Sequence, residues 1–238
     1  MTTKYRLETA KDSNDLARRA SETIAAYVDL ALDQRDRAQV ALSGGNTPAA
    51  AYGLLGKQHL PWDRVDVLLG DERWVHPDAE ASNAHMLRRT LMAEGPGSKA
   101  KFHPVPTTQL PNAEESAKAF GELLQAVCPG RPPVFDVMLL GLGDDGHTAS
   151  LFPGTEAPKV TDRWVTVGRG KGLDRITLTA PVLSAANQVI FLVSGEAKQK
   201  ALKRLLDPSE SPERTPAKLV QPSSEVLILV DEAAAATL

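Results

Sequence analysis

The chain has 238 residues, a formal net charge of −3 and one cysteine. That length can bury a sizeable core. The charge argues against a general nucleic-acid binder, and a lone Cys128 excludes an internal disulfide or a cysteine metal cluster. Met1–Asp12 lacks the apolar core of a signal peptide, and no apolar run reaches the roughly 18 residues of a membrane span, so a cytoplasmic protein is expected. An anionic small-molecule substrate stays compatible with the acidic total, because a local cluster of Arg and Lys can coexist with it.

In chain order, Ser13 is placed to cap a helix to about Gln34, with Leu16, Ala20, Ile24, Tyr27 and Ala31 on one stripe. Ala38–Leu42 reads as a buried strand. Thr47 and Pro48 suit the cap and first position of a second helix, ended by Gly56. Val65–Leu69 is a second strand, from whose end Gly70-Asp71-Glu72-Arg73-Trp74 leaves. Ser82 caps a helix to about Met92. Lys99–Pro111 reads as loop with a short strand, and Asn112 starts a helix through Val127. Val134–Leu140 is a buried strand running into Gly141-Leu142-Gly143-Asp144-Asp145-Gly146-His147. Trp164–Val167 and Arg175–Thr179 read as strands, Pro181–Ala185 as a short helix and Gln188–Val193 as a strand. A helix follows Gly195 to Leu206, then a surface loop, Asp207–Pro216. The last elements are a strand at Glu225–Val230 and a helix at Asp231–Ala236.

Apolar strands alternating with amphipathic helices predict an α/β fold, with a mostly parallel sheet flanked by helices on both faces. No repeat or composition break divides the chain, so residues 1–238 are expected to form a single domain. In such sheets ligands bind beyond the carboxyl ends of the strands. The loops singled out below leave such ends.

Ser43-Gly44-Gly45-Asn46-Thr47 lies between a strand and a helix start, where free N–H groups and the helix dipole favour an anion. Ala41-x-Ser43-x-Gly45 approximates a nucleophile elbow but lacks its first glycine. Arg73 suits bidentate phosphate binding. Lys198, in the first turn after Gly195, opposes the helix dipole, which suits an anion partner, but taken alone it reads more readily as an ordinary surface lysine; Arg175, at a strand start, carries the same two readings. Gly141-x-Gly143-x-x-Gly146 matches the dinucleotide fingerprint in form, but Asp144 and Asp145 would repel a pyrophosphate. Asp145-x-His147 with Asp71 or Glu72 is too sparse a ligand pattern to assign a metal. His147 is the side chain suited to proton transfer near neutral pH. His59, His76, His85 and His103 have no partner pattern and are expected to be surface or structural.

Ser43–Pro48, Gly70–Arg73, Ser82-Asn83 and the run Gly141–Gly154 (GLGDDGHTASLFPG) resemble the signatures of the 6-phosphogluconolactonase family. Arg175–Thr179, Gly195-Glu196-x-Lys198 and Asp231–Ala234 continue the resemblance along nearly the whole chain. Gly172-Leu173-Asp174 departs from it, where family members usually carry prolines, and so do Leu229 and Val230, where a tryptophan often stands. The related glucosamine-6-phosphate deaminases are the alternative; their histidine motif carries a following acidic residue that Thr148–Pro153 lacks. A sugar-phosphate binding protein without catalysis is a second alternative, against which the Asp145-Gly146-His147 motif weighs.

The resemblance implies a NagB/ribose-5-phosphate-isomerase-like fold and hydrolysis of 6-phospho-D-glucono-1,5-lactone to 6-phosphogluconate in the oxidative pentose phosphate pathway, with no cofactor. In this reading His147 is the general base, and Asp145 orients it or binds a sugar hydroxyl. Arg73, Lys198 and the Ser43–Thr47 backbone hold the phosphate, and backbone N–H groups of the glycine loop meet the oxyanion. The sequence leaves the oligomeric state open.

Overall fold

The computed structural model describes residues 3–238. Its elements are β1 (Tyr5–Ala10), α1 (Ser13–Gln34), β2 (Ala38–Leu42), α2 (Asn46–Leu55), β3 (Val65–Leu69), β4 (Asp71–Arg73), α3 (Asn83–Arg89), β5 (Lys101–Phe102) and α4 (Ala113–Val127). They continue with β6 (Val137–Gly141), β7 (Val165–Gly170), β8 (Leu173–Leu178), α5 (Ala180–Ala185), β9 (Gln188–Val193), α6 (Gln199–Leu206), β10 (Val226–Asp231) and α7 (Glu232–Ala235). Short 3-10 turns join several of them.

A seven-stranded parallel sheet has the order β1-β10-β9-β6-β2-β3-β5. Every residue of β2, β3, β9 and β10 is buried. Strands hidden along their whole length must be covered on both faces, which is why they read as largely apolar runs, broken only by the buried Gln39 and Asp66 inside β2 and β3 and by Gln188 and Asp231 at strand ends. The helices cover them through apolar stripes: Leu16, Ala20, Ile24 and Val28 on α1, and Ala117, Phe120 and Leu124 on α4 are buried. Cys128, just after α4, is buried, and burial pushes its thiol up to about 12. No helix among the described residues is long and apolar enough to cross a membrane.

A second, antiparallel sheet, β4-β8-β7, was not expected from the sequence. Asp71–Arg73 forms a strand by pairing with β8, with Arg73 opposite Arg175. Gly70 is the seam between the sheets: its N–H donates to the Leu42 carbonyl of β2 (2.9 Å), and its carbonyl accepts from Leu178 of β8 (3.0 Å). The expected strands at Trp164–Val167 and Arg175–Thr179 are the hairpin β7–β8, turning at Lys171, which has φ 56°.

Several boundaries shift for local reasons. The cap of α1 is Asp12, whose carboxylate accepts from Asn14 and Asp15, rather than Ser13. Helix α2 starts at Asn46 after Gly45 with no side-chain cap, so Thr47 does not cap it. Ser82 and Asn112 do cap α3 and α4 through their side chains. The helix after Gly195 begins as a 3-10 turn, Glu196–Lys198, before α6.

Candidate active site

One cleft of about 330 Å³ gathers the catalytic and phosphate-binding residues singled out in the sequence, other than Asp145. Ser43, Gly44, Gly45, Asn46 and Thr47 enter it from the β2–α2 junction. Arg73 and Arg175 come from the paired strands β4 and β8, His147 from the loop after β6, and Lys198 from the turn after β9. A larger groove of about 770 Å³ between α4 and β7 contains no histidine, serine or cysteine in its wall.

The loop after β6 is folded around His147. The Gly143 N–H donates to the His147 carbonyl (2.8 Å), and the Gly146 N–H to that of Gly143 (2.9 Å). Thr148 Oγ1 donates to the Gly141 carbonyl at 2.8 Å. Asp145 Oδ1 accepts from the His147 backbone N–H at 3.0 Å and lies 2.5 Å from Nδ1 of the same residue. A Cβ on Gly143 would lie 2.0 Å from His147 Nδ1 and 2.7 Å from Asp145 Oδ1, so this contact requires glycine. With Nδ1 facing a carboxylate, the proton of the neutral ring is assigned to Nδ1 and the lone pair to Nε2. Asp145 does not line the cleft, whereas His147 does.

Burial pushes the imidazole below the ordinary histidine value; the Asp145 hydrogen bond and charge oppose this, and the Lys171 charge reinforces it. For Asp145, burial raises the carboxyl, but hydrogen bonds from the His147 backbone and ring hold it below the usual carboxylate range. A neutral imidazole beside an ionised carboxylate is a base poised to accept a proton.

Phe152 lies between two cleft residues. Its ring centroid is 4.5 Å from that of His147 and 5.3 Å from the Arg175 guanidinium carbon. Arg175 is 9% exposed, with Nη1 3.9 Å from Asp71 Oδ2; burial presses its guanidinium downward and Asp71 opposes that. Asp71 also accepts from Ser150 Oγ at 2.5 Å.

The anion-binding features are concrete. Among the described residues, the N–H groups of Gly44, Gly45, Asn46 and Thr47 donate to no other group of the chain. Tyr52 fixes this loop: its hydroxyl accepts from the Ser43 N–H (3.0 Å) and donates to the Ser43 carbonyl (2.9 Å). Arg73 Nη1 donates to the Ala81 carbonyl (2.7 Å) and Asn83 Oδ1 (2.8 Å). Three buried donors of the cleft wall lack partners: Ser43 Oγ, Arg73 Nε and Arg175 Nε. Unpaired buried donors are costly, and their convergence marks a place for an anionic ligand. Ser43 Oγ has no hydrogen-bonded base, which removes the nucleophile-elbow arrangement.

The expectation that N–H groups of the glycine loop meet an oxyanion is corrected for Gly143 and Gly146, whose N–H groups are occupied in holding the loop. Asn83 and Lys171 also line the cleft and were not picked out by physical reading of the sequence. The signal for Lys171 was the flanking pair Gly170 and Gly172, which marks a hairpin tip. Asn83 lies in the Ser82-Asn83 motif, but its part depends on contacts distant in sequence. Of the remaining histidines, His103 is structural, its Nε2 lying 2.7 Å from the buried Asp66 carboxylate. Among the described residues no group of three or more His, Cys, Asp or Glu side chains is placed to hold a metal ion.

Comparison with known proteins places this arrangement in context. The chain is 42% identical over 238 residues to a 6-phosphogluconolactonase of a Nostoc species, covering 99% of each chain. Among solved structures it resembles 6-phosphogluconolactonase from Trypanosoma brucei, with a TM-score of 0.87, 29% identity and full coverage of both chains. A monomeric glucosamine-6-phosphate deaminase of the NagB superfamily shares the fold, with a TM-score of 0.82 at 19% identity, covering 98% of this chain and 100% of that one. The family described as glucosamine-6-phosphate isomerases/6-phosphogluconolactonase matches residues 11–229. With a match over nearly its whole length and a cleft built from the signature segments, the chain belongs to the glucosamine-6-phosphate isomerase/6-phosphogluconolactonase family.

Proposed function

We propose that the protein hydrolyses 6-phospho-D-glucono-1,5-lactone to 6-phospho-D-gluconate, a step of the oxidative pentose phosphate pathway, in the cytoplasm. The observation that carries this reading is the single cleft in which the Asp145-backed His147 faces a set of unpaired anion donors. The full-length similarity to 6-phosphogluconolactonases supports the same substrate.

His147 Nε2 takes a proton from water as the water oxygen bonds to the lactone carbonyl carbon. The resulting tetrahedral centre collapses by breaking the bond to the ring oxygen, which receives the proton from Nε2-H. Asp145 holds the ring and stabilises the transient imidazolium. At the far end the free N–H groups of Gly44–Thr47, with Arg73 and Lys198, bind the phosphate, and this remote binding positions the carbonyl for attack. Arg175 faces the same substrate. No cofactor takes part.

The test supplies freshly generated lactone and follows acid release against the spontaneous rate. The wild-type chain accelerates release, and His147→Ala loses about 10²–10⁴-fold in kcat. Near-normal turnover of His147→Ala defeats the assignment of the base, and ammonia release from glucosamine 6-phosphate in place of lactone hydrolysis defeats the substrate.

A further inference from the structure

Glu72 neighbours the cleft without lining it, and it is 1% exposed. A buried carboxylate next to a phosphate site calls for an explanation, since like charges repel. Four donors converge on it. Oε1 accepts from the backbone N–H groups of Arg73 (2.7 Å) and Asn83 (2.8 Å). Oε2 accepts from the Ala84 N–H (2.8 Å) and Ser82 Oγ (3.0 Å). These bonds join β4 to the first turn of α3, across about ten residues of intervening chain.

What that junction carries is the functional part. Asn83 Oδ1 accepts from Arg73 Nη1, and Asn83 Nδ2 donates to the Asp71 carbonyl at 2.8 Å. A Cβ on Gly44 would lie 1.9 Å from Asn83 Oδ1, so the Asn83 amide is seated directly against the Ser43–Thr47 loop. The Asn83 and Ala84 N–H groups are occupied by Glu72, whereas those of Gly44, Gly45, Asn46 and Thr47 are free. Glu72 thus withdraws the Asn83 and Ala84 amides from a ligand and leaves those of the Gly44 loop to meet it.

We propose that Glu72 is a positioning residue for the phosphate end of the substrate, clamping Arg73 and Asn83 against the Gly44 loop through its four hydrogen bonds. This rests on the lactonase reading for the identity of the substrate but not for the presence of an anion. The two carboxylate oxygens each accept at least one backbone N–H. A glutamine of the same shape must therefore turn its own amide N–H toward a donor in either orientation, which no neutral amide satisfies.

The test is Glu72→Gln with the lactone in steady state and with inorganic phosphate in a calorimetric titration. KM rises about tenfold and phosphate affinity falls about tenfold, while kcat stays within about threefold. A general structural lesion instead lowers the active fraction, so kcat falls with KM unchanged; that result, or unaltered kinetics, overturns the proposal. Should Glu72→Gln fail to fold, Ser82→Ala removes one of the four bonds together with the α3 cap to the His85 N–H and gives a smaller KM rise with the same split, and an unchanged KM there overturns the proposal equally. Phosphate titration needs no turnover. Failure of the lactonase reading therefore appears as an inactive wild type, and failure of the Glu72 assignment as unaltered phosphate affinity.

Discussion

The ring of His147 stands under opposing influences, and their balance is readable in kinetics. Burial favours the neutral imidazole, whereas the Asp145 carboxylate favours the charged one. Because the net shift is downward from 6.5, the base form persists to lower pH than for an ordinary histidine, and kcat/KM falls only once pH drops through that lowered value. Asp145→Asn removes the influence that raises the ring. The acid limb of the kcat/KM profile then moves further down in pH, and kcat falls about 10²–10⁴-fold as the tautomer is no longer held. If Asp145 instead serves a sugar hydroxyl, KM rises and kcat is nearly kept. Asp145-x-His147 stood out in the sequence as a pair close enough to meet around a glycine, but the spacing left open whether Asp145 orients the ring or binds a sugar hydroxyl. Asn83 and Glu72 were not, because their partners arrive from other elements.

Among the elements, those hidden by packing were the ones the sequence specified. Ala38–Leu42, Val65–Leu69 and Gln188–Val193 were predicted with the bounds they have, because a largely apolar run is buried as a strand even where it carries a polar residue such as Gln39 or the ion-paired Asp66. β1 was missed: as an edge strand it shows polar residues to solvent, and only Ala10 is fully buried. β4 was missed because Asp71-Glu72-Arg73 has no strand character of its own and takes it from β8. Asp231, the last residue of β10, shows how an element end can serve two neighbours. It caps α7 by accepting from the Ala234 N–H (2.8 Å) and ties the Lys198 turn by accepting from Ser194 Oγ (2.5 Å) and the Gly195 N–H (3.0 Å). Asp231→Ala should destabilise the fold by about 2–3 kcal/mol in denaturant titration at neutral pH. Burial raises this carboxyl, but the three hydrogen bonds bring it below the usual 3.8, so its contribution is present above that value. The difference between wild type and variant accordingly shrinks as pH falls through the lowered value.

At the scale of the whole molecule, a net charge of −3 conceals a cleft of the opposite sign. Arg73, Lys171, Arg175 and Lys198 line it against the single carboxylate of Asp71. Exposed charges are screened over about 8–10 Å at ordinary salt, so kcat/KM for the phosphorylated lactone should fall several-fold between about 10 mM and 300 mM salt, with kcat nearly constant. Equal loss in both constants would point to a conformational effect of salt. Composition alone allowed such a local cluster without locating it. The alternation of strands and helices foretold the parallel sheet but not the antiparallel one, whose pairing at Gly70 is set by hydrogen bonds across more than a hundred residues.

The only thiol in the chain, Cys128, is sealed in the core, and its thiolate is out of reach near neutral pH. For covalent labelling the native protein is therefore a silent background. A cysteine introduced at the hairpin tip, as in Lys171→Cys, becomes the sole reactive handle, and a fluorophore attached there sits at the mouth of the cleft without any native cysteine having to be removed.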